Sequence, residues 1–145
     1  MALLLALDVG NTNTAIALFN GDRLVHHWRI KSDREKTADE YGILLCQLLA
    51  HRGVGVDSVT GVAAACVLPP LVPVLDQTCR TYFGATPLFV DAGVVTGLPI
   101  RYEHPRDVGA DRIANAVAAK AKYRLPAIIV DFGTATTFDC ISAEG

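Results

Sequence analysis

The stretch DVGNTNT at residues 8–14 has a near copy, DFGTATT, at residues 131–137. Apolar runs flank both copies on either side, at residues 3–7, 15–19, 127–130 and 138–141. The repeated unit is therefore a strand, a polar turn that contains glycine, and a second strand. Self-similarity of this kind indicates one supersecondary unit that is used twice in the chain.

The composition of both turns suits phosphate binding. An aspartate can hold a metal ion, a glycine lets the backbone approach a ligand, and amide or hydroxyl side chains donate hydrogen bonds to phosphate oxygens. Two such turns that face each other would hold the phosphates of one nucleotide from both sides. For either turn alone, an ordinary Asx-type hairpin turn explains the composition equally well. The repetition favours phosphate.

Composition and charge restrict the class of protein. The 145 residues are 51% hydrophobic, which is enough for a folded core. A formal net charge of -2 supplies no broad positive field, so we expect no nucleic-acid partner. We find no leader peptide and no apolar run of membrane-spanning length, and we therefore expect a soluble, cytoplasmic protein without a membrane partner. The four cysteines lack a C-x-x-C pair, which predicts reduced, packed thiols.

The pattern of apolar residues and turn signals predicts an α/β fold with a mixed sheet and flanking helices. Asn20-Gly21 is a strong hairpin signal, so the first three strands should form a meander. The predicted strands are residues 3–7, 14–19, 23–30, 58–65, 88–90, 127–130 and 138–141. The predicted helices are residues 37–52, 69–82 and a third from residue 107.

Local signals refine the helices. Thr37 and Glu40 have the spacing of a capping box. Asp107 is predicted to be the N-cap of the third helix, which should bury one face through Ile113, Val117 and Ala121. The stretch from Gly93 to Pro105 is predicted to be irregular.

We assign residues 1–105 to a first phosphate-binding domain and residues 106–145 to a connecting helix and the start of a second domain. The second strand-turn-strand unit is followed by Glu144-Gly145, where the first unit has its Asn20-Gly21 turn. We therefore expect the second meander to be incomplete within these 145 residues. We also expect the chain by itself to show no catalytic turnover.

A cluster of chemically capable residues lies between the two turns, in the sequence YEHPRDVGADR at residues 102–112. Asp111 can accept a proton from a hydroxyl that attacks phosphorus. Arg112 can clamp a carboxylate or a developing phosphate charge, and Gly109 lets a ligand approach the backbone. The alternative is that Asp111 only complements the helix dipole and Arg112 pairs with a surface acid.

These motifs resemble those of type III pantothenate kinases. The resemblance rests on DVGNTN near the N-terminus, on YEHP followed by GADR, and on DFGTATT, in the same order along the whole chain. It implies the fold of the acetate and sugar kinase, heat-shock chaperone and actin superfamily, an actin-like ATPase fold with two ribonuclease-H-like domains and the nucleotide between them. It implies phosphorylation of pantothenate by ATP, the first step toward coenzyme A.

The resemblance also implies roles for individual residues. The ATP phosphates would contact Asp8, Val9, Gly10, Asn11, Thr12, Asn13, Thr14, Ala15 and Thr134. Pantothenate would contact Tyr102, Gly109, Ala110, Asp111 and Arg112. Asp111 would be the catalytic proton acceptor, Asp131 would hold a monovalent cation (K⁺ or NH₄⁺), and Asp8 would reach the Mg²⁺ of Mg-ATP through water. Such kinases are homodimers.

Two other functions remain open on the sequence. Some proteins that resemble this family have been associated with transcriptional regulation, which makes a non-enzymatic accessory factor the first alternative. The second is another actin-like member, an ATPase or an exopolyphosphatase, which would share the Asp-Gly turns but has no evident need for GADR. The sequence GxxxxGK[ST] is absent, which excludes a P-loop enzyme on its own motif.

Overall fold

The computed structural model describes residues 2–94 and 96–145. The chain divides into two compact units, Met1–Phe89 (unit 1) and Val90–Gly145 (unit 2). The domain boundary that the sequence suggests after residue 105 stays a prediction.

Unit 1 is built on a mixed five-stranded sheet, as the sequence predicts. Its strand order is β3-β2-β1-β4-β5. The first three strands form the predicted antiparallel meander, and β4 pairs parallel to β1 and to β5. The strands are β1 (Leu3–Val9), β2 (Asn13–Asn20), β3 (Arg23–Lys31), β4 (Val59–Cys66) and β5 (Leu88–Phe89).

Two helices, α1 (Ala38–His51) and α2 (Leu71–Phe83), pack on this sheet and form one apolar core with it. Side chains alternate between the two faces of the sheet along β1, and the apolar ones mark the face that the two helices cover. Leu3, Leu5, Leu7 and Val9 point into the core, whereas Asp8 is exposed, on the face away from the core. The first Asp-Gly turn therefore continues a buried strand while its acid stays accessible.

The predicted capping box is confirmed at the start of α1. The Glu40 N–H donates to Thr37 Oγ1 at 3.3 Å, and the Thr37 N–H donates to Glu40 Oε2 at 2.8 Å. The Thr37 N–H and the Thr37 hydroxyl both donate to the Glu40 carboxylate, and they hold its pKa below the usual value because they favour the charged form. The helix start is thus fixed by local chemistry.

Gly42 is the point of closest approach between α1 and α2. A Cβ atom at this position would lie 2.2 Å from the ring of Tyr82 on α2. The Tyr82 hydroxyl donates to Asp39 Oδ1 at 2.7 Å, which holds the ring against α1. Glycine is therefore required here by packing rather than by backbone conformation.

Trp28 is the only tryptophan of the sequence and lies on β3 opposite Ile16. Its ring centroid lies 5.8 Å from that of His26 on the same strand. The Nε1 atom of Trp28 is buried and has no hydrogen-bond partner among the described residues. The indole is thus fixed in unit 1 by packing.

Unit 2 consists of a short 3₁₀ turn, one helix and one hairpin. The elements are the turn Pro105–Asp107, α3 (Ala110–Lys122), β6 (Ala127–Phe132) and β7 (Thr136–Ile141). The two strands pair antiparallel, as the repeat predicts. The described residues between Gly93 and Pro105 form neither helix nor strand, which confirms the predicted irregular stretch; Val95 lies outside the described residues.

The prediction that Asp107 caps the third helix is wrong. Asp107 lies in the 3₁₀ turn that Pro105 begins, and Val108 then adopts an extended conformation with φ −73° and ψ 120°. Gly109 occupies the N-cap position instead, and its cap carries no side-chain hydrogen bond. The extended residue separates two helical turns that look continuous in the sequence.

The predicted apolar face of α3 is only partly correct. Ile113 is buried and Val117 is half-buried, but Ala121 is exposed and Ala119 is buried instead. The two buried residues are six positions apart, so the buried face does not follow the strict spacing of four that the prediction assumes.

No helix in the described ranges is long and apolar enough to cross a membrane. All four cysteines are free thiols, as predicted. Cys79 is buried, and burial raises its pKa to about 11. Cys140 departs from the prediction of packed thiols because it is exposed on β7, where alternate side chains point away from α3.

Candidate functional site

The first Asp-Gly turn is closed by backbone contacts. Val9 pairs with Thr14, and the Gly10 N–H donates to the Asn13 carbonyl at 3.0 Å. A Cβ atom at position 10 would lie 3.0 Å from that same carbonyl oxygen. Glycine therefore allows the chain to fold back this tightly, as the sequence suggests.

The predicted phosphate residues of this turn differ in exposure, with Gly10 and Ala15 half-buried. Asp8, Asn11, Thr12 and Asn13 are exposed. Val9 and Thr14 are buried, and the Thr14 hydroxyl shares a buried hydrogen bond of 2.8 Å with the Ser32 hydroxyl. Contact between a ligand and Val9 or Thr14 would therefore come from the backbone.

Cys66 lies beside this turn, at the end of β4 and in register with Val9. Burial is the main cause that raises the pKa of its thiol, and the negative charge of Asp8 adds to the effect. The protonated thiol is a poor nucleophile. The turn therefore carries acid, amide and hydroxyl groups for polar binding, without an activated cysteine.

The second Asp-Gly turn resembles the first but is one residue shorter. Three residues, 133–135, separate the paired Phe132 and Thr136, and the Gly133 N–H donates to the Ala135 carbonyl at 3.1 Å. A Cβ atom at Gly133 would meet that oxygen at 3.5 Å, an ordinary contact. Thr134 is exposed at the tip of the turn.

Helix α3 meets the hairpin of unit 2 through two polar pairs. Asp131 and Asp139 lie on the face of β6 and β7 that α3 contacts. Arg112 forms an ion pair with Asp139, and Asn115 Nδ2 donates to Asp131 Oδ2 at 3.4 Å. Arg112 and Asn115 are three residues apart and so share one face of the helix. Helix α3 is thus joined to the hairpin by polar pairs.

The ion pair fixes the guanidinium of Arg112. Its Nε donates to Asp139 Oδ1 and its Nη2 donates to the Phe138 carbonyl at 3.4 Å. The side chain of Asp139 is 10% exposed, and its Oδ2 has no hydrogen-bond partner within the described residues. A buried carboxylate of this kind is stable only with a paired cation. Asp139 thus depends on Arg112 and orients it.

The sequence analysis missed Asp139 and Asn115. One signal was available for Asp139, because an acid at an inward position of an otherwise apolar strand must find a partner. Asn115 carries no comparable signal. It becomes recognisable only when α3 is placed on the hairpin.

Asp111 lies in the first turn of α3 and is half-buried. Its Oδ1 accepts a hydrogen bond of 2.8 Å from the Arg112 backbone N–H. This position suits a proton acceptor with one oxygen held in place, and it equally suits an acid that complements the helix dipole. Both interpretations of Asp111 therefore stay open on geometry.

A cleft of about 480 Å³ lies within unit 2 next to α3. Tyr102, Arg112 and Asp139 line it, whereas Gly109, Ala110 and Asp111 do not. Tyr102 is 55% exposed. The remaining walls are mainly apolar, with Leu98, Ile100, Val108, Ile113, Phe138 and Ile141. The structure therefore brings two of the five predicted substrate residues to one cavity.

No three His, Cys, Asp or Glu side chains converge in the ranges 2–94 and 96–145. Asp131 is half-buried and one of its oxygens is held by Asn115. Asp131 is therefore a carboxylate beside an amide, outside any group of three or more such donors in the described residues.

Solved structures support the fold. The chain is similar to a propionate kinase from Francisella tularensis subsp. tularensis, with a TM-score of 0.54 and 12% identity over 99% of this chain and 56% of that one. It is also similar to a reductive activator for a corrinoid, iron-sulfur protein, with a TM-score of 0.64 and 12% identity over 97% of this chain and 29% of that one. The chain has an actin-like α/β fold.

Curated relatives are much more similar in sequence. The chain is 51% identical over 143 residues to a type III pantothenate kinase of Geobacter sulfurreducens and 53% identical to one of Anaeromyxobacter sp. strain K. Each comparison covers 99% of this chain and 56% of the relative. The chain thus spans about half the length of these relatives. Residues 4–145 also match the sequence family described as type III pantothenate kinase. The chain therefore belongs to the type III pantothenate kinase family.

Proposed function

We propose that the enzyme containing this chain transfers the γ-phosphoryl group of ATP to the primary hydroxyl of pantothenate, which yields 4'-phosphopantothenate for coenzyme A synthesis. The observation that carries the proposal is the family match across residues 4–145, with both Asp-Gly turns and GADR intact. The pairing of Arg112 with Asp139 beside an open cleft supports it, because a fixed guanidinium suits a carboxylate substrate.

Asp111 is the proposed proton acceptor. The hydroxyl oxygen of pantothenate forms a bond to the γ-phosphorus, and the bond from that phosphorus to the β,γ-bridging oxygen breaks, so that ADP leaves. The hydroxyl proton passes to the Asp111 carboxylate. The hydrogen bond from the Arg112 N–H to Asp111 Oδ1 leaves Oδ2 as the basic atom.

The two turns are the proposed phosphate contacts. Exposed Asn11 and Asn13 have amide donors for phosphate oxygens, and Thr134 adds a hydroxyl from the second turn. Asp8 would reach Mg²⁺ through water, and the ion neutralises phosphate charge when it is bound. The proposal includes contact of both turns with the same nucleotide.

Asp131 is the proposed ligand of a monovalent cation, K⁺ or NH₄⁺. Asn115 holds its Oδ2, which leaves Oδ1 for the ion. We further propose that the enzyme is a cytoplasmic homodimer, as the resemblance implies.

The test uses a protein of the relatives' length that contains this chain. ADP release is measured with ATP and pantothenate, and the product is identified by its mass in mass spectrometry. We expect ADP formation that depends on pantothenate and is stimulated by K⁺ or NH₄⁺ but not by Na⁺. Phosphate release without pantothenate would indicate an ATPase instead, and no turnover with intact ATP binding would favour an accessory factor.

Two variants separate the roles of the acids. Asp8→Ala should mainly raise the Mg-ATP concentration needed for half-maximal rate, whereas Asp131→Ala should abolish stimulation by K⁺ together with most activity. Identical ion titrations of the two variants would contradict the assignment of the monovalent ion to Asp131.

A further inference from the structure

The segment between β3 and α1 lies against the first Asp-Gly turn. The Ser32 N–H donates to the Thr12 carbonyl at 2.9 Å, and the Ser32 and Thr14 hydroxyls are hydrogen-bonded inside the protein. At its other side the segment is held by the Tyr41 hydroxyl, which donates to the Asp33 carbonyl at 3.2 Å. Residues 32–36 are therefore fixed at two points.

Arg34 extends from this segment to the turn. Its Nη2 donates to the side-chain Oδ1 of Asn11 at 3.2 Å. Lys36, the next basic residue, is directed elsewhere, with its Nζ 5.7 Å from the centroid of the Tyr41 ring. Arg34 is thus the cation of this segment that contacts the turn.

The contact determines which way the Asn11 amide faces. A guanidinium has only donors, so it must meet the oxygen of an amide rather than its nitrogen. The Asn11 Nδ2 then points away from Arg34, at an exposed position of the turn. This orientation presents two N–H donors and an adjacent positive charge at the surface of the turn.

We infer that Arg34 is an ATP-binding residue that positions Asn11 and adds its own charge to the phosphate site. The inference rests on the proposed function of the first turn. The contact between Arg34 and Asn11 is exposed to solvent, where water competes for both groups. A charge-assisted bond to a phosphate oxygen is much stronger.

The experiment measures the binding of ATP and of adenosine by calorimetry, with a protein of the relatives' length that contains this chain. Arg34→Met removes both the charge and the donor to Asn11. We expect it to weaken ATP binding by about tenfold to a hundredfold, the scale of a lost hydrogen bond to a charged group. Adenosine binding should not change, because adenosine lacks phosphates. Arg34→Lys should restore most of the ATP affinity.

Two further variants make the test specific. Arg34→Gln keeps a donor for Asn11 but loses the charge, and it should give an intermediate loss with a weaker dependence on salt. Arg23→Met is the matched control, since Arg23 is exposed at the opposite end of β3, roughly 25 Å from Lys31. It should bind ATP like the parent protein.

Unchanged ATP affinity in Arg34→Met, or an equal loss for adenosine, would overturn the inference. If the Met variant does not fold by circular dichroism, the Gln variant decides: parental ATP affinity in Arg34→Gln overturns the role of the charge. A parent protein that binds no ATP would instead refute the proposed function itself, and the two failures are therefore distinguishable.

Discussion

At the scale of single residues, Asp111 and Arg112 are neighbours in sequence but have different surroundings. Arg112 lines the cleft of unit 2 and is held by Asp139, whereas Asp111 lies outside the cleft lining. Successive residues of a helix point about a quarter-turn apart, which accounts for the separation. In the proposed mechanism, substrate binding by Arg112 and proton transfer to Asp111 therefore lie in different directions of one helix turn.

Asp111→Asn tests the proposed base. In a protein of the relatives' length we expect kcat to fall by roughly a hundredfold or more, the scale of a lost general base, because an amide cannot take the proton. Binding of ATP and pantothenate, measured by calorimetry, should stay near parental values. Asp107→Asn is the matched control, since Asp107 is an exposed acid just before α3. A parental kcat for Asp111→Asn would return Asp111 to the helix-dipole role.

Asp139→Asn tests the orientation of Arg112. We expect the KM for pantothenate to rise by about tenfold or more, the scale of a weakened hydrogen bond to a charged group, while the KM for ATP is unchanged. Asp76→Asn provides the control, because Asp76 pairs with Arg80 on the exposed side of α2. If Arg112→Ala and Asp139→Asn had fully additive effects on pantothenate binding, the two side chains would act independently and the pairing would be irrelevant to the site.

Single residues also show where sequence reasoning stops. The turn residues and GADR could be recognised because their types are fixed by local chemistry. An inward acid at position 139 signals that some partner exists, but neither that partner nor the role of Arg34 could be assigned. Each of the two residues acts through a partner 23 or more positions away in the chain, Arg112 and Asn11 respectively. Long-range pairs of this kind exist only after the strands are in register.

At the scale of elements, the strands and the first two helices follow from alternation, hairpin signals and the capping box. The third helix was misplaced by three residues because Pro105 and Asp107 are good starting residues for any helical turn, including a short 3₁₀ turn. The extended conformation of Val108 carries no local signal. Element types were thus predictable, while this boundary was not.

The contact between α1 and α2 predicts that the effect of Gly42→Ala on the free energy of unfolding depends on Tyr82. Gly42→Ala should lower the free energy of unfolding by roughly 1–3 kcal/mol, because the new methyl group displaces the Tyr82 ring. In a Tyr82→Ala background the same change should instead stabilise the protein by up to about 1 kcal/mol, the gain of alanine over glycine in a helix. Urea unfolding of the four proteins measures both effects. Stabilisation by Gly42→Ala alone would show that the ring moves aside freely.

At the scale of the whole molecule, the main apolar core belongs to unit 1. Every residue of that core lies between Leu3 and Phe89. Unit 2 instead exposes large apolar side chains on the outer face of its hairpin, namely Ile128, Val130, Phe132 and Phe138. The two units therefore differ in how much of its own apolar surface each one buries.

We expect a polypeptide of residues 1–89 to fold by itself. Calorimetry should show one cooperative transition with a heat-capacity change of roughly 1.1–1.3 kcal/mol/K, as expected for a domain of this size. Hydrogen exchange should be slowest in β1, which has a paired strand on each side. A peptide of residues 90–145 serves as the comparison and should melt without a cooperative transition. An unfolded 1–89 polypeptide by circular dichroism would contradict the assignment.

The position of Trp28 has an optical consequence. The four tyrosines are divided equally, with Tyr41 and Tyr82 in unit 1 and Tyr102 and Tyr123 in unit 2, but the sole indole chromophore lies on β3. Emission excited selectively at the tryptophan band therefore originates in unit 1 alone. Trp28 is thus an intrinsic fluorophore that reports on unit 1, which carries the first turn.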